Sequence, residues 1–344
     1  MIDTKITSIH EISVHKIGNK ASDTGLFLSK NPLVLDINTK NILSEYFLSA
    51  FKSEEYYSFY HEIDVKMNDV YSCANKIFEN PETLFKQSVI MANLLFDKTN
   101  DKKIKEGEFY TVYFTNIHFK NQMIDAVGLF KSENKDTFLT IDINEDGLDI
   151  GSESGINVKK LDKGCLILNI EPENGYIISI VNNSNKDSEQ YWIDEFLQLI
   201  QRKDDCYNTQ NMISICKTFV ENELPKQFEV SKIDQIDLLN KSAKFFKEKD
   251  KFNIENFENE VMAQQEVINS FQNYKNLLQQ EAVLDVANDF NISDYAVKKQ
   301  ARIFKSIIKL DKNFHIYIHG NREKIERGND DNGKFYKIYY KEEE

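Results

Sequence analysis

With 344 residues, 41% of them hydrophobic, the chain can bury a substantial core, which excludes global disorder, and its length suits about two domains. The formal net charge of −13 gives a self-repelling surface and excludes a protein that coats DNA with its whole exterior; any nucleic-acid contact needs a local basic patch. Only four Pro and twelve Gly argue against long structureless linkers.

Taken in order, Ile6–Ile17 alternates like a strand, with Ile6, His10, Ile12 and Val14 on one face and Thr7, Glu11 and Ser13 on the other. Gly18-Asn19 turns the chain and Gly25–Leu35 is predicted to return as a second strand. No signal-type apolar region opens the chain, and no apolar run approaches the ~18 residues of a membrane span, so the expected location is the cytoplasm, without membrane contact. Asn38 or Thr39 is placed to cap a helix over Ile42–Phe51, and two further helices are predicted over Val70–Phe78 and Glu82–Phe96. Pro81 falls at the first turn of the last, where its missing N–H costs nothing.

The strongest local signals lie between Phe109 and Ile143. Phe109–Phe119, Met123–Phe130 and Thr137–Ile143 read as a three-stranded antiparallel meander with short turns. The first strand is apolar on both faces, with Phe109, Tyr113 and Ile117 against Tyr110, Val112 and Phe114, so it is expected in the sheet interior. Cys165–Ile170 and Tyr176–Val181 form another hairpin around Glu171–Gly175, where Gly175 can take a left-handed conformation.

Polar Asn182–Ser188 marks the expected boundary, dividing an α+β antiparallel-sheet domain (1–185) from a mostly helical domain closed by a small β-meander (186–344). Helical stripes follow: Trp192, Phe196 and Leu199; Ile213, Cys216 and Val220; Ile236, Leu239, Ala243 and Phe246; and a long segment over Val261–Leu284. Ile307–Leu310, Phe314–His319 and Lys334–Tyr340 are predicted as closing strands. The fold class is α+β.

Candidate chemistry is sparse. Asp142, Asn144, Asp146, Gly147 and Glu153 match the EF-hand loop pattern, but a strand leads in, no helical stripe follows, and Asp149 stands where that loop needs an apolar residue. His315 and His319 share a strand face ~13 Å apart at ~3.3 Å per residue, too far to share one metal; the other histidines read as core or surface residues. Cys73, Cys165, Cys206 and Cys216 lack CxxC pairing and read as buried, reduced thiols. No GxSxG, P-loop or GxGxxG motif occurs, and no cofactor, metal site or catalytic residue is assigned. The one basic concentration is Val297–Lys312, where Lys298, Lys299, Arg302, Lys305, Lys309 and Lys312 face the single acid Asp311. On a helix, Lys298, Arg302 and Lys305 lie near one stripe, with Val297, Ala301 and Phe304 available for docking. These six cations are the candidate phosphate contacts, set against an ordinary solvated helix face.

Several segments together resemble the bacterial nucleoid-associated, NdpA-like family over nearly the whole chain. They are IHEISVHKIGNK, YFTNIHFKNQMIDAVGLFK, LDKGCLILNI, YWIDEFLQLI, FFKEKDKFNIENFENEV, IKLDKNFHIYI and IERGNDDNGKFYKIYY. The resemblance implies a nucleoid protein that binds duplex or single-stranded DNA, with a topoisomerase as a possible class of protein partner, and carries over no catalytic residues. Two other readings are compatible with the sequence: a protein-interaction adaptor recruited to the nucleoid by a protein partner, and a metal-dependent nuclease.

Overall fold

The computed structural model describes residues 2–144, 147–183, 190–281, 284–301, 307–310, 313–317, 324–331 and 333–342. They form two compact units, Met1–Arg202 and Lys203–Glu344. The first runs β1 (Ile2–Asp3), β2 (Ser8–Ile17), α1 (Ile37–Leu48), β3 (Tyr56–Phe59), α2 (Asp69–Glu79), α3 (Leu84–Asp97), β4 (Gly107–Phe119) and β5 (Gln122–Ser132). It continues through β6 (Asp136–Asn144), β7 (Gly147–Gly155), β8 (Lys163–Leu168), β9 (Ile177–Asn182), a π-helical segment (Tyr191–Leu197) and β10 (Leu199–Gln201).

The main sheet is antiparallel with order β1-β4-β5-β8-β9-β3-β10, and β2 also pairs with β4, on the edge away from β5. β4 is therefore interior, as its two-sided apolarity requires. Phe109 and Tyr113 face one core with α2, α3 and Trp192 of the π-helical segment. Tyr110, Val112 and Phe114 face another with Tyr46 and Phe47 of α1. Dispersion and hydrophobic burial on both faces hold the sheet between helices.

Some expected elements are corrected. The third strand of the meander, β6, does not join β5, whose other neighbour is β8. Instead β6 pairs along its whole length with β7, forming a separate two-stranded sheet. Gly25–Leu35 is not a strand: a single bridge joins Lys16 to Phe27, and Pro32 has no N–H to offer a ladder. In β2 a register shift between Ile9 and Glu11 leaves His10 exposed, breaking the simple alternation. α1 begins earlier, at Ile37, because the Asp36 side chain accepts from Thr39 N. Leu199 belongs to β10, not to a helical stripe. The β8–β9 turn is as expected: Gly175 has φ +80°, and a Cβ there would lie 2.4 Å from the Phe59 carbonyl oxygen.

The second unit contains α4 (Asp205–Thr218), α5 (Lys232–Glu248), β11 (Lys251–Asn253), α6 (Gln265–Gln280), β12 (Asp289–Asn291) and α7 (Asp294–Gln300). Two hairpins follow, β13 (Ile307–Leu310) with β14 (Phe314–Tyr317), and β15 (Ile325–Asp330) with β16 (Gly333–Ile338). The helices and the β11–β12 pair close on a core in which Phe252 stacks between Phe246 and Phe290, with ring centroids 5.6 and 4.7 Å away. The long helix expected over Val261–Leu284 is broken at Ala263, which has φ +59°. β15 had no counterpart in the expected strands.

Candidate nucleic-acid interface

The basic run divides between two elements. α7 starts at Ser293, whose Oγ accepts from Ala296 N at 3.3 Å, with Asp294 in its first turn and Lys298 and Lys299 in its last. Each charge thus sits at the helix end whose dipole favours it. Ala296 and Val297 are buried, Val297 in the helical core, so the helix docks by that side while Lys298 and Lys299 are exposed. In the β13–β14 hairpin, Ile308, Leu310 and Ile316 pack with Ile233 and Ile236 of α5. Strand alternation turns the cross-strand pair Lys309–His315 to the opposite face, and both residues are exposed. Arg302, Lys305, Lys312 and His319 lie outside the described residues; of the six predicted cations, Lys298 and Lys299 are exposed on α7 and Lys309 is exposed on β13.

The β15–β16 hairpin adds cations that the basic run did not include. Ile325 and Tyr336 join the cluster around Ile233, while Lys334 and Lys337 are exposed. Lys337 Nζ lies 4.7 Å from the Tyr339 ring centroid and 3.9 Å from the Glu326 carboxylate. The sequence held the signal in its charge distribution: residues 298–341 contain twelve Lys and Arg against five Asp and Glu, a net +7 inside a chain of −13. Removing that segment would leave 31 basic against 51 acidic residues.

The described residues of the EF-hand match are spread along a β-hairpin, and Asp146 lies outside the described residues. In the β6–β7 register Asp142 pairs with Asp149 and Glu153 pairs with Phe138. Glu153 is therefore displaced along the ladder from the Asp142–Asp149 pair by four residues, ~13 Å, so one ion cannot bind both ends of the pattern. Calorimetry with Ca²⁺ should show no micromolar isotherm; one lost in an Asp142→Ala variant would contradict the register argument. Among the described residues, no group of three or more His, Cys, Asp or Glu could hold a metal ion. His15 is a core histidine: Ser29 N donates to its Nδ1 at 3.2 Å, so Nε2 carries the proton and donates to Ser88 Oγ at 2.9 Å. Burial lowers its pKa. All four cysteines are free and buried.

A buried ionic cluster in the first unit was not foreshadowed by any motif. Lys131 and Lys163 are register partners on β5 and β8, and both side chains are fully buried. Between them lies Glu133, whose carboxylate accepts from Lys131 at 2.9 Å, Lys163 at 3.2 Å and the Tyr191 hydroxyl at 2.8 Å. Asp162 accepts from the Glu133 and Asn134 backbone N–H groups at 2.7 and 3.0 Å, fixing the chain that follows β5. Burial pushes both lysines below the usual ammonium range, and Glu133 offsets only part of this. Burial alone would raise Glu133, but Lys131 and Lys163 outweigh it and hold its carboxyl below the usual range. With the ammonium groups at 0% and the carboxylate at 3% exposure, these charges cannot reach a substrate; they tie strands together.

The contributing segments, LFK at Lys131, LDKG at Asp162-Lys163 and YW at Tyr191, are among those that carried the family resemblance. The family described as nucleoid-associated protein YejK matches residues 9–334. The chain belongs to this family. Its membership in the YejK family gives it a nucleoid-associated role. No curated protein matches the chain. As a YejK-family protein it carries its cationic excess in the C-terminal part of the second unit, and no helix among the described residues is long and apolar enough to cross a membrane.

Proposed function

We propose that this protein acts at the nucleoid by binding DNA directly and without catalysis, through the cations of the C-terminal part of its second unit. The observation that carries this reading is the charge segregation: a net +7 between Lys298 and Lys341 in a chain of −13, with Lys298, Lys299, Lys309, Lys334 and Lys337 exposed. A focused patch of this kind attracts a polyanion that the remaining surface repels. Cations on such a patch neutralise phosphates and position the protein without reading bases.

Titrating salt against binding of duplex and single-stranded oligonucleotides tests the proposal. Affinity should fall steeply with salt, and a Lys298→Glu, Lys299→Glu, Lys309→Glu variant should bind weakly to every sequence while keeping its fold. For every phosphate of duplex DNA that the variant no longer neutralises, the log–log salt slope should drop by about 0.9. A folded variant that binds like the wild type would remove these residues from the interface. A second reading draws on the first unit, Met1–Arg202, which holds 31 acidic against 21 basic residues. That surface suits a protein partner at the nucleoid, a topoisomerase being one such class, and absence of any salt-sensitive DNA binding by the wild type would put this adaptor role first. Metal-dependent cleavage of the oligonucleotides would instead indicate a nuclease.

A further inference from the structure

The β6–β7 hairpin forms a two-stranded sheet of its own, nine residues on each strand. Its register puts Leu139, Ile141, Ile143, Leu148 and Ile150 on one face together with Ser152. These five apolar side chains belong to residues that are 73%, 66%, 85%, 69% and 72% exposed. The opposite face carries Phe138, Thr140, Asp142, Asp149, Gly151 and Glu153. Strand alternation has thus built an amphipathic arm, but no described element of the first unit covers its apolar front.

We propose that this front is a self-association surface on which a second copy of the chain packs, front to front. Residues 136–155 hold six Asp and Glu and no Lys or Arg, so the arm repels nucleic acid and anionic lipid surfaces. A cationic partner would be drawn to the acidic back. The front itself has no ionisable group and calls for an equally neutral apolar mate. A second arm meets that requirement in length, width and charge, and a twofold axis near the central Ile141–Ile150 pair makes the interface self-complementary. Front-to-front packing also turns the carboxylates of the two backs away from each other.

The size of the surface sets the strength. A Leu or Ile side chain carries on the order of 100 Å² of apolar surface, so five that are mostly exposed offer on the order of 350 Å² per copy. That matches the largest apolar patch of a typical monomer, which is often functional, and is about half of the ~800 Å² that each partner gives a standard interface. Association is therefore reversible and concentration-dependent. It also strengthens with salt, because screening removes the repulsion between two chains of −13, the opposite sign to phosphate binding.

Sedimentation velocity on the full chain, across concentration and salt, tests this directly. The wild type should pass from monomer to dimer, and an Ile141→Lys, Ile150→Lys variant should stay monomeric with an unchanged melting temperature. Two sheets packed face to face lie ~10 Å apart, within reach of a short bismaleimide. An Ile141→Cys variant should therefore crosslink to itself, while Asp142→Cys on the back should not; the four native cysteines are buried. If the Lys variant fails to fold, the crosslinking contrast decides. A wild type that is monomeric at every concentration, a dimer unchanged by the Lys pair, or equal crosslinking from front and back would each overturn the proposal. None of these outcomes depends on DNA binding.

Discussion

Replacing Phe114 by Asp is expected to unfold the Met1–Arg202 unit. Phe114 is fully buried and meets Phe130 edge-on, with centroids 6.1 Å apart. Phe130 in turn stacks on Phe47 of α1 at 4.2 Å, so the site ties helix to sheet. Gly128 makes room for this arrangement: a Cβ there would come within 2.8 Å of Phe114 Cε2 and 2.4 Å of Phe130 Cε2. Truncating a core Phe costs ~3–5 kcal/mol, and burying an unpaired carboxylate adds several more. The sum reaches the whole stability of a typical domain, ~5–15 kcal/mol. Near-UV circular dichroism and urea titration should show lost packing in Phe114→Asp and a retained fold in Phe114→Leu. A soluble Asp variant melting at the wild-type temperature would contradict the placement of β4.

The same strand shows why part of the fold was legible. β4 is apolar on both faces because each face meets its own core, and that property belongs to the residues alone. β6 instead alternates over Leu139–Ile143, and alternation records only that one side is apolar, not whether anything covers it. From the sequence alone, its open face is indistinguishable from a covered sheet face of the meander. Its true partner β7, GLDIGSESG, gives too little β-branched or aromatic signal to mark a strand. β3 and β10 are short, and their pairing, Tyr57 with Gln201, is a long-range contact that no local pattern encodes. In the candidate interface, Lys298, Lys299 and Lys309 stand out as a dense run, whereas Lys334 and Lys337 are separated from it by acids and register only in the net charge summed over residues 298–341. The ionic cluster was illegible for another reason: Lys131 and Lys163 look like ordinary strand-end lysines until the β5–β8 register sets them side by side.

That cluster supplies the second large effect. Glu133→Gln should destabilise the first unit by about 3–5 kcal/mol, the usual consequence of breaking a buried ion pair, because two buried ammonium groups lose their shared carboxylate. Adding Lys131→Met should recover part of the loss, and the non-additivity in that cycle measures the coupling. The pH dependence follows from the directions of the shifts. Glu133 has a lowered folded-state pKa, so its contribution is complete above the unfolded carboxylate range, ~4.3, and disappears as pH falls through the lower folded value. Lys131 and Lys163 also have lowered values, so the folded state binds their protons less tightly than the unfolded chain does. Stability therefore rises as pH climbs through their folded values toward the unfolded ammonium value near ~10.4. Without the carboxylate both lysines should fall further, so the alkaline gain in Glu133→Gln should begin at lower pH and be larger, while the acid limb due to Glu133 disappears. Urea midpoints measured against pH for the two proteins read both limbs. Parallel profiles, offset by a constant, would mean that Glu133 does not carry the charge coupling assigned to it.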